Sequence, residues 1–491
     1  MDKREKDNRR FSIVPKSTGM CVAFIIAGFA EVLFLMLVLA LDVLPFKYLL
    51  AMLAFILVLD IIIVYLANSR SKHGTRRIGA LVLIFLILNV LTIGDSYVYS
   101  TYDTLQKISK ARATWQVYDV ITTVDGTHNT IESVEGESIY VPIRDSKQLN
   151  EAKERLVTKA DVSYSEDADI ISIGHKLVGE EGDVHDEIAL VTKEDYRVLK
   201  KQIPGFKDNT QVIYKIKVKK RSNDSVKAVD VSEDSFNVLI SGKDVWGELK
   251  EKNGLSDVNM VMTVNPKTKE ILLTSIPRDS YIPLHTYGAK DKLTHTGIYG
   301  EDETRQTIED FLGIEINYSI TVNFSMLVDL VEAIDGIDIY SDYTFKSALK
   351  DYHYVEGWNH VGGWKALYFA RERKSFMEGD MQRNKNQQIV LEAIIKKVTS
   401  SKVIMTKYTK ILNAVEDEMY TDMTDKDLKK LAKLTLKDMK HGWTVKTANV
   451  VGGTGAAPCF SMGNQELSCV FPSQESVDEC KKAIHDTMYP V

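Results

Sequence analysis

The sequence predicts an α/β protein held at a membrane: an α/β/α sandwich that carries the chemistry, a small α/β accessory domain before it, and three N-terminal transmembrane helices. Three observations predict this. The first 98 residues contain three long apolar runs. From Phe236 onward, apolar strands alternate with helical segments, the pattern of a sheet covered by helices. The ends of those strands carry aspartates and an arginine, and a later stretch is dense in arginine. At 491 residues the chain has room for two or three domains. A net charge of -6 provides no global basic excess for nucleic acid, so no nucleic-acid partner is expected.

The apolar runs are Met20–Leu41, Phe46–Leu66 and Ile78–Ile93, the last reaching span length with residues 94–98. A bilayer core takes about 20 apolar helical residues. Three runs in series with no small-residue cleavage pattern argue against a signal peptide. Lys3, Arg4, Lys6, Arg9 and Arg10 precede the first run, and Arg70, Lys72, Arg76 and Arg77 fill the loop before the third. Basic loops stay in the cytoplasm. The expected protein is therefore a three-span cell-membrane protein with a cytoplasmic N-terminus and everything after about Tyr97 outside. Glu31, Asp60 and Asn89 fall in or near the runs and read as inter-helix hydrogen-bonding groups.

The predicted organisation is 1–98 for the tail and spans, 99–225 for the accessory domain, and 232–491 for the catalytic domain with a C-terminal extension. Ser100–Lys110 reads as a polar exit from the membrane. In the accessory domain, Gln116–Thr123, Glu187–Thr192 and Gln211–Val218 read as strands and Lys147–Val157 as an amphipathic helix. His175 and His185 stand apart, without ligand partners in the sequence. Lys219–Asp234 reads as a charged linker.

In the third region, strands are predicted at Phe236–Asp244, Ser256–Pro266, Glu270–Asp279 and Ser319–Asn323, with helices at Thr304–Leu312 and Phe324–Ala333. Ligands of such sheets gather at strand ends. Here the ends supply Asp244, Asp257, Arg278 and Asp279. Carboxylates beside arginine suit a hard divalent cation, Mg²⁺ or Mn²⁺, shared with phosphate; each Asp alone also reads as a turn former.

Phe369–Gln388 packs Arg371, Arg373 and Arg383 around Asp380 and Gln387. In an extended segment Arg371 and Arg373 share a face. In a helix starting at Gly379, Asp380, Arg383 and Gln387 form one stripe. Guanidinium forks match phosphate oxygens and stay charged. The same stretch also reads as a solvated, arginine-rich loop before a surface helix.

Taken in order, Ser256-Asp257, Thr263–Pro266, Ile276-Pro-Arg-Asp279, Asp291–Gly300, Ile337-Asp-Ile339, Ala366–Arg373, and Gly379-Asp380 with Arg383 and Gln387-Gln388 resemble the LytR–CpsA–Psr family, and most closely its CpsA-like branch. The resemblance is strong from about Phe236 to Ser400 and only architectural for the anchor and accessory domain. It implies a phosphotransferase that moves a glycopolymer (capsular polysaccharide, teichoic acid or similar) from a polyprenyl-pyrophosphate carrier to peptidoglycan, with capsule or wall-polymer export machinery as a further partner. It assigns Asp244 and Asp257 to the metal. It assigns Arg278, Lys292, Arg371, Arg373, Asp380, Arg383 and Gln387 to the pyrophosphate. The catalytic set is then Asp257, Arg278, Asp279, Arg371 and Arg373, with Asp257 or Asp279 as base. Leu255 departs from the family, where an arginine is common. A non-catalytic scaffold that binds the lipid-linked precursor, or a pyrophosphate hydrolase, fits the same residues.

Met260–Val264, Met326–Val331 and Val390–Ile395 read either as a slot for a lipid tail or as core. Met405–Met439 reads as helices, Thr444–Val451 and Glu466–Phe471 as strands, and Gly452–Ala457 as a flexible turn. Outside a membrane Cys459 and Cys469 are expected to form a disulfide, a pairing left open by Cys480.

Overall fold

The computed structural model describes residues 18–68, 75–109, 113–144, 146–167, 169–179, 186–221, 226–244, 254–399, 401–416, 418–437 and 442–490. The N-terminal basic tail, Arg70, Lys72 and His185 lie outside the described residues.

Helices α1 (Thr18–Leu41), α2 (Phe46–Asn68) and α3 (Thr75–Ile108) are each long and apolar enough to cross a membrane. They pack through Ala27, Ile63, Ala67, Ala80 and Ile84, while most of their other apolar side chains face outward. Glu31 is buried in this bundle, and Asn89 donates to the Phe85 carbonyl of its own helix at 2.7 Å. The expected polar exit at Ser100–Lys110 is instead the last part of α3, which runs on to Ile108. At 1.5 Å per residue α3 is about 50 Å long, against about 30 Å of hydrocarbon.

The accessory domain contains β1 (Ala113–Thr123), β2 (Ser138–Pro142), α4 (Lys147–Val157), β3 (Ser163–Asp167), α5 (Ile170–Val178), β4 (Ile188–Thr192), α6 (Lys193–Gln202), α7 (Phe206–Asn209) and β5 (Thr210–Arg221). Its sheet order is β3-β2-β4-β1-β5. Leu149, Ala152 and Leu156 press α4 onto one face, and Ile173, Leu177 and Leu199 press α5 and α6 onto the other. His175 is exposed on α5. The expected linker is partly core, because Val231 is fully buried beside Phe236 and Tyr318.

The third region begins with β6 (Phe236–Lys243), β7 (Val258–Asn265), β8 (Glu270–Ser275), β9 (Tyr281–Pro283), β10 (Lys290–Lys292), α8 (Glu301–Leu312), β11 (Tyr318–Asn323) and α9 (Phe324–Ala333). Next come β12 (Ile337–Ser341), β13 (Phe345–Lys346), β14 (His353–Tyr354), β15 (Gly357–Val361), α10 (Gly363–Arg371), α11 (Asp380–Val398) and α12 (Ser401–Val415). It ends with β16 (Met419–Thr421), α13 (Asp425–Lys437), β17 (Thr444–Asn449), β18 (Gly452–Cys459), β19 (Gln465–Pro472) and α14 (Gln474–Met488). The central six-stranded sheet has the order β16-β11-β6-β7-β8-β17. Ile308, Leu312, Val477 and Ile484 bring α8 and α14 onto one face. Leu391, Ile395, Leu428 and Leu431 bring α11 and α13 onto the other, which completes the α/β/α layering. β8 stops at Ser275, short of the expected Asp279, because Pro277 has no N–H to give the ladder. Val261, Val331, Val390 and Ile394 are core residues.

Two further expectations are corrected. Arg371 ends helix α10 rather than lying in an extended segment, because Ala366, Leu367, Phe369 and Ala370 give that segment a buried helical face. Gly452–Ala457 is not a turn but the body of β18, paired antiparallel with β19. A side chain at Gly452 would collide with the Phe471 carbonyl, so glycine permits the close strand approach.

The parts are docked by polar contacts. Tyr408 on α12 bonds Thr101 on α3 at 2.6 Å, Lys433 on α13 pairs with Asp42 at 2.7 Å, and Lys47 reaches the Lys437 carbonyl at 2.6 Å. The α1–α2 connection therefore sits on the same side as the sandwich. The accessory domain grips the β18–β19 turn: Lys201 bonds the Ser461 carbonyl at 2.8 Å and Gln202 the Phe460 carbonyl at 2.6 Å.

Asp422, after β16, accepts the Ser319 N–H at 2.7 Å, and burial pushes its carboxyl up to about 6. The unfolded carboxyl ionises near 3.9, so this group makes the fold less stable as pH rises from 4 through 6. Asp422→Asn keeps the acceptor without the charge. It is expected to raise stability above pH 6, by up to ~3 kcal/mol on the same linkage, and to leave it unchanged below pH 4. Thermal unfolding midpoints of both proteins from pH 4 to 8 check this.

Candidate functional site

Each predicted site residue is placed by a local feature of the chain. Asp244 follows β6 and Asp257 precedes β7, and these strands pair antiparallel with Gly242 opposite Val258, so both acids leave the same end of the sheet. The Asp257 N–H donates to Gly242 at 2.9 Å. Ser256, buried beneath, bonds Ser241 at 2.7 Å and Asn259 at 2.9 Å. Leu255 is exposed. Pro277 ends β8 and delivers Arg278 and Asp279 to this edge. Lys292 closes β10, and Asp380 opens α11, where a negative charge suits the positive end of the helix dipole.

The structure brings most of these groups together. Arg278 Nη1 bonds Asp257, and Arg278 Nε lies 3.9 Å from Asp279 and 4.0 Å from Asp380. Lys292 Nζ is 3.1 Å from Asp279. Asp380 also meets Arg383 at 3.1 Å and Arg373 at 3.7 Å. Arg371 is 3.5 Å from Asp244 and stacks on the Phe324 ring, 4.3 Å from its centroid. Gln387 is half-buried one turn beyond Arg383. Among the described residues, Asp244 and Arg371 form a pair of their own, with no ion pair to the Arg278–Asp380 network.

Two features give the cleft its chemical character. The Nε atoms of Arg278 and Arg383 are buried without a hydrogen-bond partner. A buried unmet donor costs about 1–3 kcal/mol, more when charged, and a bound anion removes that cost. The second feature is a carboxyl pair. Burial and its hydrogen bond to Asp279 raise Asp380, with Arg383 opposing. Burial also pushes Asp279 up, but its bond with Asp380 and the nearby Lys292 and Arg278 hold it below its ordinary value. Asp279 is thus the stronger acid of the pair and Asp380 the weaker.

Glu372 was not singled out from the sequence. It is fully buried between the two arginines. Its carboxylate accepts from Ser347 Oγ and Ala348 N at 2.7 Å, and from Lys374 N, Arg373 N and Ser375 N at 2.9–3.2 Å. Burial raises this carboxyl, but these bonds outweigh it and hold the group below its ordinary value. Helix α10 ends at Arg371, and Glu372, the extended residue that follows, turns into the core between the two arginines. Gln388 was read only as part of the motif. Buried, it donates to the carbonyls of Leu273 and Ala448 at 2.6 and 3.0 Å and pins α11 across β8 and β17. The expected Cys459–Cys469 bridge is absent here; both are free thiols with their Sγ atoms 3.8 Å apart.

An α/β/α domain whose strand ends and helix start gather five cations around four carboxylates, with unmet guanidinium donors, defines a phosphate-handling class of protein. The model of the LytR_cpsA_psr family matches residues 205–484, more than half of the chain, and the protein belongs to that family. It is 35% identical over 202 residues to the polyisoprenyl-teichoic acid–peptidoglycan teichoic acid transferase TagU of Enterococcus faecalis, a match covering 41% of this chain and 66% of the relative, just under two thirds of its length. The TagU of Bacillus mycoides is 35% identical over 209 residues, covering 42% of this chain and 67% of that one. Among solved structures, B. subtilis TagV is 27% identical with a TM-score of 0.43, covering 52% of this chain and 98% of that one.

Glu372→Ala leaves at least four backbone N–H groups without their acceptor. It is expected to cost at least ~2–3 kcal/mol of domain stability, with Glu372→Gln intermediate. Chemical denaturation followed by fluorescence checks this order.

Proposed function

We propose that this protein is a membrane-anchored phosphotransferase that moves a glycopolymer from a polyprenyl-pyrophosphate carrier to peptidoglycan on the outer side of the cell membrane. The observation that carries the reading is the cleft, in which Arg278, Arg371, Arg373 and Arg383 are held by carboxylates and two Nε donors lack partners. Family membership and the named activity of the TagU relatives support the same chemistry. The orientation follows from the basic flanks: Arg76 and Arg77 open α3 at the end away from the sandwich, where positive charge favours the cytoplasm.

In this reading a sugar hydroxyl of peptidoglycan attacks the phosphorus attached to the polymer. The bond from that phosphorus to the bridging oxygen breaks, and polyprenyl phosphate leaves. Such transfers depend on positioning and charge stabilisation rather than on a covalent protein nucleophile. Arg278, Arg383 and Arg373 line the charge of the pyrophosphate, with Lys292 behind them. The proton of the hydroxyl passes to a cleft carboxylate, Asp257 or Asp279.

Asp244 and Asp257 suit Mg²⁺ because they offer only hard oxygen donors from neighbouring strand ends. When bound there, the ion supplies charge stabilisation to phosphate oxygens. Asp244 and Asp257 are also the carboxylates that hold Arg371 and Arg278. Their engagement with a cation frees those two arginines for the substrate.

The test is reconstitution of the full chain in vesicles with a lipid-pyrophosphate-linked glycan, peptidoglycan fragments and Mg²⁺. Polymer linked to peptidoglycan is the expected product. Free phosphorylated glycan instead indicates a hydrolase, and head-group binding without turnover a scaffold; either overturns the proposal. Arg371→Ala and Arg373→Ala are each expected to lower the rate at least ~100-fold, the scale of one lost transition-state contact, with unchanged unfolding midpoints.

A further inference from the structure

A second cluster of ligand-type side chains lies beneath the cleft, outside the groups that the proposed transfer uses. Asp291 on β10, His295 in the following turn and Cys459 at the end of β18 are all buried, and their donor atoms lie within 4.8 Å of one another. Cys469 on β19 stands beside this group of three, its Sγ 3.8 Å from that of Cys459. Two thiolates sharing a tetrahedral zinc at about 2.3 Å each stand about 3.8 Å apart, whereas a disulfide needs about 2.05 Å.

We propose that Asp291, His295, Cys459 and Cys469 form a structural zinc site that fastens the β18–β19 hairpin to the floor of the cleft. Asp291, His295 and Cys459 supply one oxygen, one nitrogen and one sulfur, and Cys469, beside Cys459, completes a four-donor set by turning its side chain toward them; a set with no open position is the mark of a structural rather than a catalytic zinc. Thiolate ligands select zinc against magnesium, so this site is chemically distinct from the oxygen-only pair Asp244 and Asp257. Asp291 and His295 now meet at 2.6 Å through a hydrogen bond, whose proton the ion replaces. The carboxylate is already aimed by the Ser461 N–H at 2.6 Å and the Lys292 N–H at 2.7 Å, the outer support that metal ligands commonly have.

The placement gives the ion a structural role. It joins residues 291–295 to two strands more than 160 positions later. Lys292 lies next to a ligand and bonds Asp279, whose carbonyl accepts the Val470 N–H at 2.8 Å beside Cys469. Fastening the hairpin therefore fixes the backbone around Lys292 and Asp279.

The full chain is purified in detergent without chelator, and its zinc content is measured by mass spectrometry of the metal. About one zinc per chain is expected, a closed four-ligand site holding one ion. Cys459→Ser and Cys469→Ser are expected to lose it, and Cys480→Ser, whose thiol lies elsewhere in the core, to keep it. A metal-free wild-type chain with a Cys459–Cys469 disulfide overturns the proposal, as does zinc retained in both serine variants. Should those variants fail to fold, wild-type protein stripped by a chelator is titrated with Co²⁺. A thiolate-to-cobalt charge-transfer band saturating at one equivalent supports the site, and its absence overturns it.

Discussion

The cleft depends on one electrostatic constraint: Arg278, Arg383, Asp279 and Asp380 are too enclosed to stand unpaired, whereas Arg371, Arg373 and Asp244 are more open to solvent. Removing one member of a buried pair leaves an uncompensated charge and costs several kcal/mol. Asp380 is central, touching Arg383, Arg373 and Arg278. Five cations against four carboxylates leave the cleft about one charge positive, and less screened by water than a surface patch.

That arrangement needs rigid supports, and each comes from a different part of the chain. Helix α11 sets the position of Asp380 and Arg383 and is itself pinned by Gln388 to the carbonyls of Leu273 and Ala448. Asn386 donates to the Phe369 carbonyl at 3.1 Å, which ties α11 to α10 and so to Arg371. Glu372 gathers the turn between Arg371 and Arg373. The accessory domain holds the β18–β19 turn from outside through Lys201 and Gln202, and α3 carries the whole assembly through Tyr408.

Much of this was legible from residue patterns. The three apolar runs, the helix Phe324–Ala333 and the stripe Asp380, Arg383 follow from period and length, and the structure has helices there. The convergence of Asp257, Arg278, Asp279 and Asp380 follows from strand-end placement together with family motifs. What escaped was set by tertiary contact. Arg371 looked extended because Arg-Glu-Arg alternates, but buried Phe369 and Ala370 keep that segment helical. Gly452–Ala457 looked like a turn because glycine is flexible, but β19 supplies a partner strand. The cluster of Asp291, His295, Cys459 and Cys469 has no local spacing to reveal it, since its halves meet only when the hairpin folds back.

The central claim is that cation binding by Asp244 and Asp257 releases arginines to the pyrophosphate. The most direct measurement is the affinity of the full chain for a short polyprenyl pyrophosphate by calorimetry, with Mg²⁺ and with EDTA, in the wild type and in Asp244→Asn and Asp257→Asn. The account predicts that Mg²⁺ tightens wild-type binding by at least about tenfold, or ~1.4 kcal/mol, and that each variant loses this coupling. Equal wild-type affinity with and without Mg²⁺ would contradict it.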